Sequence, residues 1–209
     1  MKSLDPNLLF FGNLVDGSSK LGDLEQFREY VDGFLAGETK YFEEAHPDLG
    51  IEFLPLFAET FPPILHSSLI ISTAILLEQE MRGYSAAMLD TIASDLKYND
   101  LSGSVLDRFR TVITKIAKLP LDPNKLMWDD IVGIFEIRNC LVHAGGSLIG
   151  FQKDSTIRAF SSRHGISDCT GDMLEIDTST SGLVLKLASS FLEEVYKLAL
   201  QRFPGHYRP

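Results

Sequence analysis

Residues Ile51 to Met81 are apolar on nearly every face that a helix could present to its surroundings. A helix with this composition is stable in a globular protein only when neighbouring elements cover it on all sides. Pro62 and Pro63 lie inside the segment, and proline removes a backbone donor and clashes with the preceding helical turn. The sequence therefore predicts a break near the two prolines and a buried central helix from about Pro63 to Arg82.

Three-and-four spacing of apolar residues predicts further helices on both sides of this segment. We expect them at about 23–45, 86–96, 105–118 and 125–144. Ser104 and Asp107 form the capping pair that opens the third of these, and Gly145-Gly146 ends the fourth, because glycine readily adopts the left-handed C-cap conformation.

The remaining segments are predicted from their polar and turn-forming residues. Residues 1–20 are predicted to be an irregular N-terminal arm, 148–172 a polar loop, and 174–177 with 183–187 a small β-hairpin. A last helix follows, opened by Ser190 and Glu193 and ended by Phe203-Pro204. The predicted fold class is mainly α, a helical bundle with one small β-hairpin near the C-terminus, in which residues 21–209 form a single domain.

Charge is distributed unevenly along the 209 residues. The chain has 19 Lys and Arg against 29 Asp and Glu, a formal net charge of −10. Residues 1–100 carry 6 basic and 17 acidic side chains, and the rest carry 13 basic and 12 acidic ones. This charge argues against indiscriminate binding to duplex nucleic acid, and we expect a nucleic acid ligand to be held locally, by the second half.

Cysteine content and hydropathy limit the protein class. Cys140 and Cys169 are the only cysteines and have no CxxC spacing, so neither a disulfide framework nor a thiolate zinc site is indicated. We expect no metal and no cofactor.

The longest apolar stretch, Ile64 to Leu77, is interrupted by polar residues and is shorter than a membrane span. The N-terminus lacks a signal peptide pattern, and we predict a soluble cytoplasmic protein without membrane contact.

One group of residues suits chemistry on a phosphate. Asn139 and His143 are four residues apart and share a face of their helix, so the amide can hydrogen-bond a ring nitrogen of the imidazole. Arg138 lies five residues before His143, about 140° away around the axis, so one helix makes an incomplete site. Two copies related by a two-fold axis would bring two arginines and two histidines to one cleft.

These residues carry a family resemblance. The segment Arg138-Asn-Cys-Leu-Val-His143 fits the R-x(4–6)-H motif of HEPN domains (higher eukaryotes and prokaryotes nucleotide-binding), with the usual polar residue after Arg. The following Ala144-Gly-Gly146, the Leu101-Ser-Gly-Ser104 turn and Trp128 ahead of the motif helix also resemble bacterial HEPN members. By pattern the resemblance covers about residues 50–203.

The resemblance implies a homodimer that cleaves RNA without metal in its active members. Arg138, Asn139 and His143 would form the site by matching position: His143 moves a proton, Arg138 stabilises charge on the phosphoryl oxygens, and Asn139 orients the ring. It also implies a toxin-like or defence role, in which an antitoxin-like protein partner could restrain the activity. Inactive HEPN members are scaffolds or ligand-binding modules, so an inactive module for protein interaction or nucleotide binding is the alternative.

Structural roles are alternative interpretations of His143 and Arg138. His143 at a helix C-terminus also suits the helix dipole, and Arg138 can pair with Glu136 or Glu78. Glu78 is not assigned a catalytic role. In a second group, Arg158, Arg163 and His164 could hold RNA phosphates or belong to a solvated loop.

Overall fold

The computed structural model describes residues 6–120, 128–166 and 171–203. This part of the chain is mainly helical, and it contains no β-strand, only an isolated antiparallel bridge between Ser147 and Met173. The α-helices are α1 Pro6–Glu44, α2 Pro47–Pro55, α3 Phe61–Thr91, α4 Val105–Thr111, α5 Trp128–Ala144, α6 Asp154–His164 and α7 Thr178–Arg202. Single π-helical turns follow α2 (Leu56–Thr60) and α4 (Val112–Ile116), and a 3₁₀ turn covers Tyr98–Asp100.

The chain divides into two compact units, each built from separated segments. The first unit comprises Met1–Leu21, Ile75–Trp128 and Ala188–Pro209, and the second comprises Gly22–Ala74 and Asp129–Leu187. The assignment of residues 21–209 to a single domain stays a prediction.

Aromatic packing organises the first unit. Three aromatic rings contact one another. The Phe109 centroid lies 6.3 Å from that of Trp128 and 6.1 Å from that of Phe191, and the Trp128 and Phe191 centroids are 5.7 Å apart. The Arg110 guanidinium lies 5.7 Å from the Trp128 ring centroid, a cation–π contact on the outer side of the cluster. Ser104 and Asp107 form the predicted capping box at the start of α4, with hydrogen bonds in both directions.

Packing of α5 against α6 organises the second unit. One face of α5 is buried through Ile131, Ile134 and Ile137. Gly133 lies on the same helix, and a Cβ there would come within 2.5 Å of the Phe160 ring of α6. The absence of a side chain at Gly133 therefore sets how closely the two helices approach.

The C-terminal hairpin prediction is wrong, since residues 183–187 lie inside α7. The turn-rich residues before them begin a helix: the Asp177 carboxylate accepts from the Thr180 backbone N–H (2.7 Å) and from the hydroxyls of Ser179 and Thr180. Val184 and Ala188 are both fully buried, and this four-residue spacing fits a helix as well as the alternating leucines fit a strand. The hydrogen bonds of the Asp177 cap start a helix here and so favour the helical pattern over the strand pattern.

Helix α1 begins at Pro6, although residues 1–20 were predicted to be irregular. Proline is favoured at the first helical position, and glycine lowers helix stability without forbidding the helix. The predicted end at residue 45 agrees with Glu44. Helix α3 continues to Thr91, so it absorbs part of the short helix predicted at 86–96.

Helix α6 occupies a segment that was predicted to be a polar loop. Its buried residues are Ile157, Phe160 and Ser161, a narrow apolar face that the surrounding polar residues obscure in the sequence. Of the helix predicted at 125–144, residues 125–127 lie outside the described residues.

The helical segment that contains Ile64–Leu77 is longer than the apolar stretch itself, and by length and composition it could cross a membrane. Among the described residues, Asp48–Thr91 contains an 18-residue window of mean hydropathy 1.5, one third of which is buried. Core helices of soluble proteins pass the same test, so this finding assigns no location.

Candidate functional site

Two glycines end α5 directly after the motif. Gly145 and Gly146 have φ values of +58° and +85°, which a residue with a Cβ adopts only at a cost. The Gly146 N–H donates to the Cys140 carbonyl (3.2 Å), closing the terminal turn. The predicted end of this helix is thus confirmed, and the buried Cys140 thiol donates to the Ser147 carbonyl (3.3 Å) as part of the packing.

The chain after α5 turns back and is held by its own backbone. Leu148 N–H donates to the Asp172 carbonyl (2.7 Å), and Phe151 N–H donates to the Leu148 carbonyl (3.1 Å). Gly150, with φ +71°, supplies the left-handed residue of this turn. The Phe151 carbonyl then accepts from Asp154 N–H (3.2 Å) at the start of α6, so the position of residues 148–153 is fixed by hydrogen bonds.

A cavity of about 390 Å³ lies between this turn and one face of α5. Helix α5 contributes Glu136, Asn139 and His143, which are spaced three and four residues apart and so share one face. The turn contributes residues 150–153. Two of the three predicted site residues, Asn139 and His143, therefore line one cavity.

The His143 side chain is solvent-exposed. Within the described ranges it takes part in no hydrogen bond and no ion pair. Both ring nitrogens are therefore available to a ligand, in either a donor or an acceptor role. Among the described residues no hydrogen bond joins the His143 ring to the carbonyls at its own helix terminus, although the ring lies in the last turn of α5, where the helix dipole favours a positive charge.

Asn139 has other partners than His143. Its Oδ1 accepts from Arg138 Nη1 (3.0 Å), and its Nδ2 lies 3.5 Å from Glu136 Oε2. The arginine is adjacent in sequence and the carboxylate is one turn back, so the amide oxygen and the amide nitrogen each have a partner on α5. The expected hydrogen bond from Asn139 to the imidazole is replaced by this Glu136–Asn139–Arg138 chain.

Arg138 is half-buried and does not line the cavity. Its position outside the cavity agrees with the angle of about 140° that separates Arg138 from His143 around the α5 axis. The guanidinium donates to Asn139 Oδ1 instead. Among described residues no carboxylate forms an ion pair with it, including Glu136 and Glu78. Glu78 instead pairs with Arg82 one turn along α3, at 2.5 Å.

Comparison of the chain with protein-family models, with curated proteins and with solved structures finds no match. The argument for a function therefore depends on the residues and their geometry. No group of three or more His, Cys, Asp or Glu side chains is arranged to hold a metal ion in the described segments.

The second candidate group, at the end of α6, is engaged in packing. Arg163 Nη1 forms an ion pair with the Asp130 carboxylate, and His164 Nε2 lies 2.9 Å from the same carboxylate oxygen. Asp130 is buried, so the Arg163 guanidinium compensates its charge, and the His164 ring provides a second polar partner. Arg158 contacts Asp154 (3.7 Å) and the Gly171 carbonyl (3.4 Å).

A buried serine–histidine–aspartate arrangement lies elsewhere in the second unit. His66 Nδ1 is 3.0 Å from Ser181 Oγ, and His66 Nε2 is 3.3 Å from Asp32 Oδ1. Ser181 is only 1% exposed and its hydroxyl also contacts the Thr178 carbonyl, so no substrate reaches it. This cluster resembles a catalytic triad in composition but joins α1, α3 and α7 as a structural contact.

The electrostatics of this buried cluster follow from burial and hydrogen bonding. Burial lowers the pKa of His66, although Asp32 and Asp177 favour the charged ring. Burial opposes ionisation of Asp177, but hydrogen bonds from Thr180 and Ser179 outweigh it and lower the pKa of that carboxyl. Burial thus favours the neutral form of the His66 ring, and hydrogen bonding favours the ionised form of the Asp177 carboxyl.

Sequence reasoning missed the wall of the cavity that residues 150–153 form. Gly150 and Lys153 stood in a polar stretch with no motif, and only the backbone turn after Gly146 brings them opposite α5. The Gly-Gly pair was the available signal, because two left-handed residues in succession reverse the chain.

Proposed function

We propose that this protein is a metal-independent endoribonuclease that acts as a homodimer. In this reaction a ribose 2′-OH attacks the adjacent phosphate, the 5′-oxygen leaves, and a 2′,3′-cyclic phosphate remains. His143 transfers protons, Arg138 stabilises the negative charge on the phosphoryl oxygens, and Asn139 holds Arg138 through their hydrogen bond.

The exposed His143 in an open cavity is the observation that carries the proposal. A general acid–base group must reach its substrate and must not be saturated by other partners. His143 meets both conditions among the described residues, whereas His66 and His164 are each engaged with a carboxylate. The resemblance of residues 138–143 to the HEPN motif supplies the RNA chemistry.

Arg138 supports a composite site made by two copies. The guanidinium lies outside the cavity that its own helix lines, so one copy brings no arginine to a phosphate bound there. A two-fold related copy can supply the guanidinium. The active form would then be a dimer through α5.

Cleavage of RNA by the purified chain tests the activity. We expect cleavage to persist in EDTA, to leave 2′,3′-cyclic phosphate ends, and to spare DNA, which lacks the attacking hydroxyl. Absence of cleavage on any RNA, or activity that EDTA abolishes, would overturn the proposal.

Complementation tests the composite site. Arg138→Ala and His143→Ala proteins are each expected to be inactive, but a mixture with exchanged subunits contains heterodimers in which one of two sites is intact. Random exchange makes half of the dimers mixed, so activity should return to about a quarter of the wild-type level. No recovery, with heterodimers verified by native mass spectrometry, would place both groups within one copy.

A second candidate function is a catalytically inactive module for protein interaction or nucleotide binding. The Glu136–Asn139–Arg138 chain favours it, because a carboxylate lies on the cavity wall and the guanidinium already has a partner. Nucleotide binding without cleavage would support this candidate. An antitoxin-like partner, a defence role and a cytoplasmic location stay predictions.

A further inference from the structure

We propose that Phe151 and Lys153 position one unpaired nucleotide of single-stranded RNA in the cavity, with the base against the Phe151 ring and a phosphate beside the Lys153 ammonium. The inference rests on the proposed function and names the form of RNA that the site accepts. Four features of the cavity carry it.

The first feature is the charge on Lys153. Its side chain is exposed and lines the cavity, and among the described residues no carboxylate lies within ion-pair distance of it. Two arginines of the same unit differ in this respect: Arg28 pairs with Glu25 and Arg163 with Asp130. Lys153 is thus the cation at this site that a phosphate can reach without displacing a protein partner.

The N-terminus of α6, which follows Lys153, has no free backbone N–H group that could bind the phosphate in place of the lysine. The Asp154 carboxylate accepts from the Ser155 N–H at 2.6 Å, and the N–H groups of Thr156 and Ile157 donate to the Lys153 carbonyl. The free donors of the α6 N-terminus are therefore occupied. Attraction for a phosphate comes from the Lys153 side chain itself.

The second feature is the aromatic ring beside the cation. Phe151 is half-buried and lines the cavity, two residues from Lys153. Bases of single-stranded RNA stack on aromatic side chains, and the ring faces of paired bases in a duplex are covered by their neighbours. The neighbouring ring and ammonium fit the alternation of base and phosphate in an unpaired strand.

The third feature is the cavity volume and the fourth is the Glu136 carboxylate; together they limit the size and the charge of the ligand. A volume of about 390 Å³ is at the lower end of small-ligand sites, which suits one nucleotide. Glu136 places a carboxylate on the opposite wall, so a second phosphate would be repelled. The cavity therefore selects a single nucleotide of a strand over a nucleoside triphosphate.

Binding of a strand that cannot be cut separates this inference from the cleavage reaction. The probe is a fluorescent single-stranded RNA on the order of ten nucleotides with 2′-O-methyl riboses, followed by anisotropy at several salt concentrations. Phe151→Leu should weaken binding about 5- to 100-fold, and Phe151→Tyr should retain it. Lys153→Gln should reduce the salt slope by about 0.7, the value for one phosphate contact on a single strand.

Matched controls come from the same unit. Phe27→Leu removes an exposed aromatic ring, and Lys186→Gln removes an exposed lysine; neither residue lines the cavity. Neither should change RNA affinity. Thermal unfolding of each variant checks the fold, and the change in salt slope expected of the Lys153→Gln protein keeps the test valid if Phe151→Leu does not fold.

The outcomes for binding and cleavage are distinct. Wild-type affinity in both Phe151→Leu and Lys153→Gln, or equal affinity for a duplex of the same sequence, overturns the inference even if the protein cleaves RNA. Binding that depends on both residues, with no cleavage of unmodified RNA, supports the inference and overturns the ribonuclease proposal.

Discussion

His66 and His143 lie in the same unit and have opposite surroundings. His66 is 2% exposed, and both ring nitrogens have partners, Ser181 and Asp32. His143 is exposed, and no described residue satisfies either of its nitrogens. The residues around His66 have the composition of a catalytic triad, yet the access needed for catalysis is at His143. A saturated set of hydrogen bonds stabilises a fold, and an unsaturated group in a cavity is available for chemistry.

The largest expected effect is on the reaction. His143→Ala should lower the rate of RNA cleavage by about 10²-fold or more, since a positioned proton-transfer group contributes that much. The free energy of unfolding should change by less than about 0.5 kcal/mol, because the side chain is exposed and makes no described contact. Rate measurements on a defined RNA and urea unfolding check the two parts. Unaltered activity in this variant would remove His143 from the reaction.

The second effect is on stability. His66→Ala should lower the free energy of unfolding by about 2–3 kcal/mol, because it removes a buried ring and leaves Ser181 and Asp32 without a shared partner. Urea unfolding should show a lower midpoint at an unchanged m-value. His143→Ala is the matched control. Equal, small effects of the two substitutions would show that the buried cluster contributes little to folding.

A smaller effect concerns pH. The folded-state pKa of His66 is lowered by burial, so the unfolded chain binds the proton first as pH falls. Stability from this group is complete above the usual histidine pKa of about 6.5 and is lost as pH falls below it. The groups that face the ring are Asp32 and Arg28 from α1, and Asp177 before α7.

Unfolding between pH 7.5 and 5.5 measures this effect. The wild type should lose stability across that window, and His66→Gln should lose less. Asp177 also has a lowered pKa, but its contribution is lost only below the usual aspartate pKa of about 3.9, so the two windows are separate. An identical slope in the two proteins would assign the pH dependence to other groups.

The smallest effect should come from Asn139→Ala. Its amide holds Arg138 and does not contact His143, so its loss removes one hydrogen bond that orients the guanidinium. A bond of this kind contributes about 1 kcal/mol, which corresponds to about fivefold in rate. The pH profile of cleavage should stay unchanged, because the imidazole has no contact with this amide. A shifted profile would show that Asn139 acts on the ring after all.

Local signals in the sequence predicted the elements that depend on neighbouring residues. The Ser104/Asp107 cap and the Gly145 stop are found where they were predicted, because each is decided within a few residues of backbone. The same holds for the shared face of Asn139 and His143. The mainly helical class followed from the spacing of apolar residues alone.

Features that depend on tertiary contacts could not be predicted in this way. The hairpin at 174–187 was inferred from alternating leucines, but the Asp177 cap starts α7 there. Helix α6 has only a narrow apolar face, so its polar sequence favoured a loop. The Lys153 side chain reaches the cavity because the chain reverses after Gly146. The two glycines indicate a reversal, but no local motif indicates which residues then lie opposite α5.

The backbone hydrogen bonds of residues 148–154 have an evolutionary consequence. The turn is held by Leu148 N–H on the Asp172 carbonyl and by its own main-chain bonds, which most residue types at the neighbouring positions can form. Ile149, Gln152 and Lys153 are exposed, so their replacement leaves the turn in place. Selection or laboratory libraries can therefore exchange these side chains, and substitutions at Gln152 and Lys153 change the chemistry of the cavity wall on an unchanged scaffold.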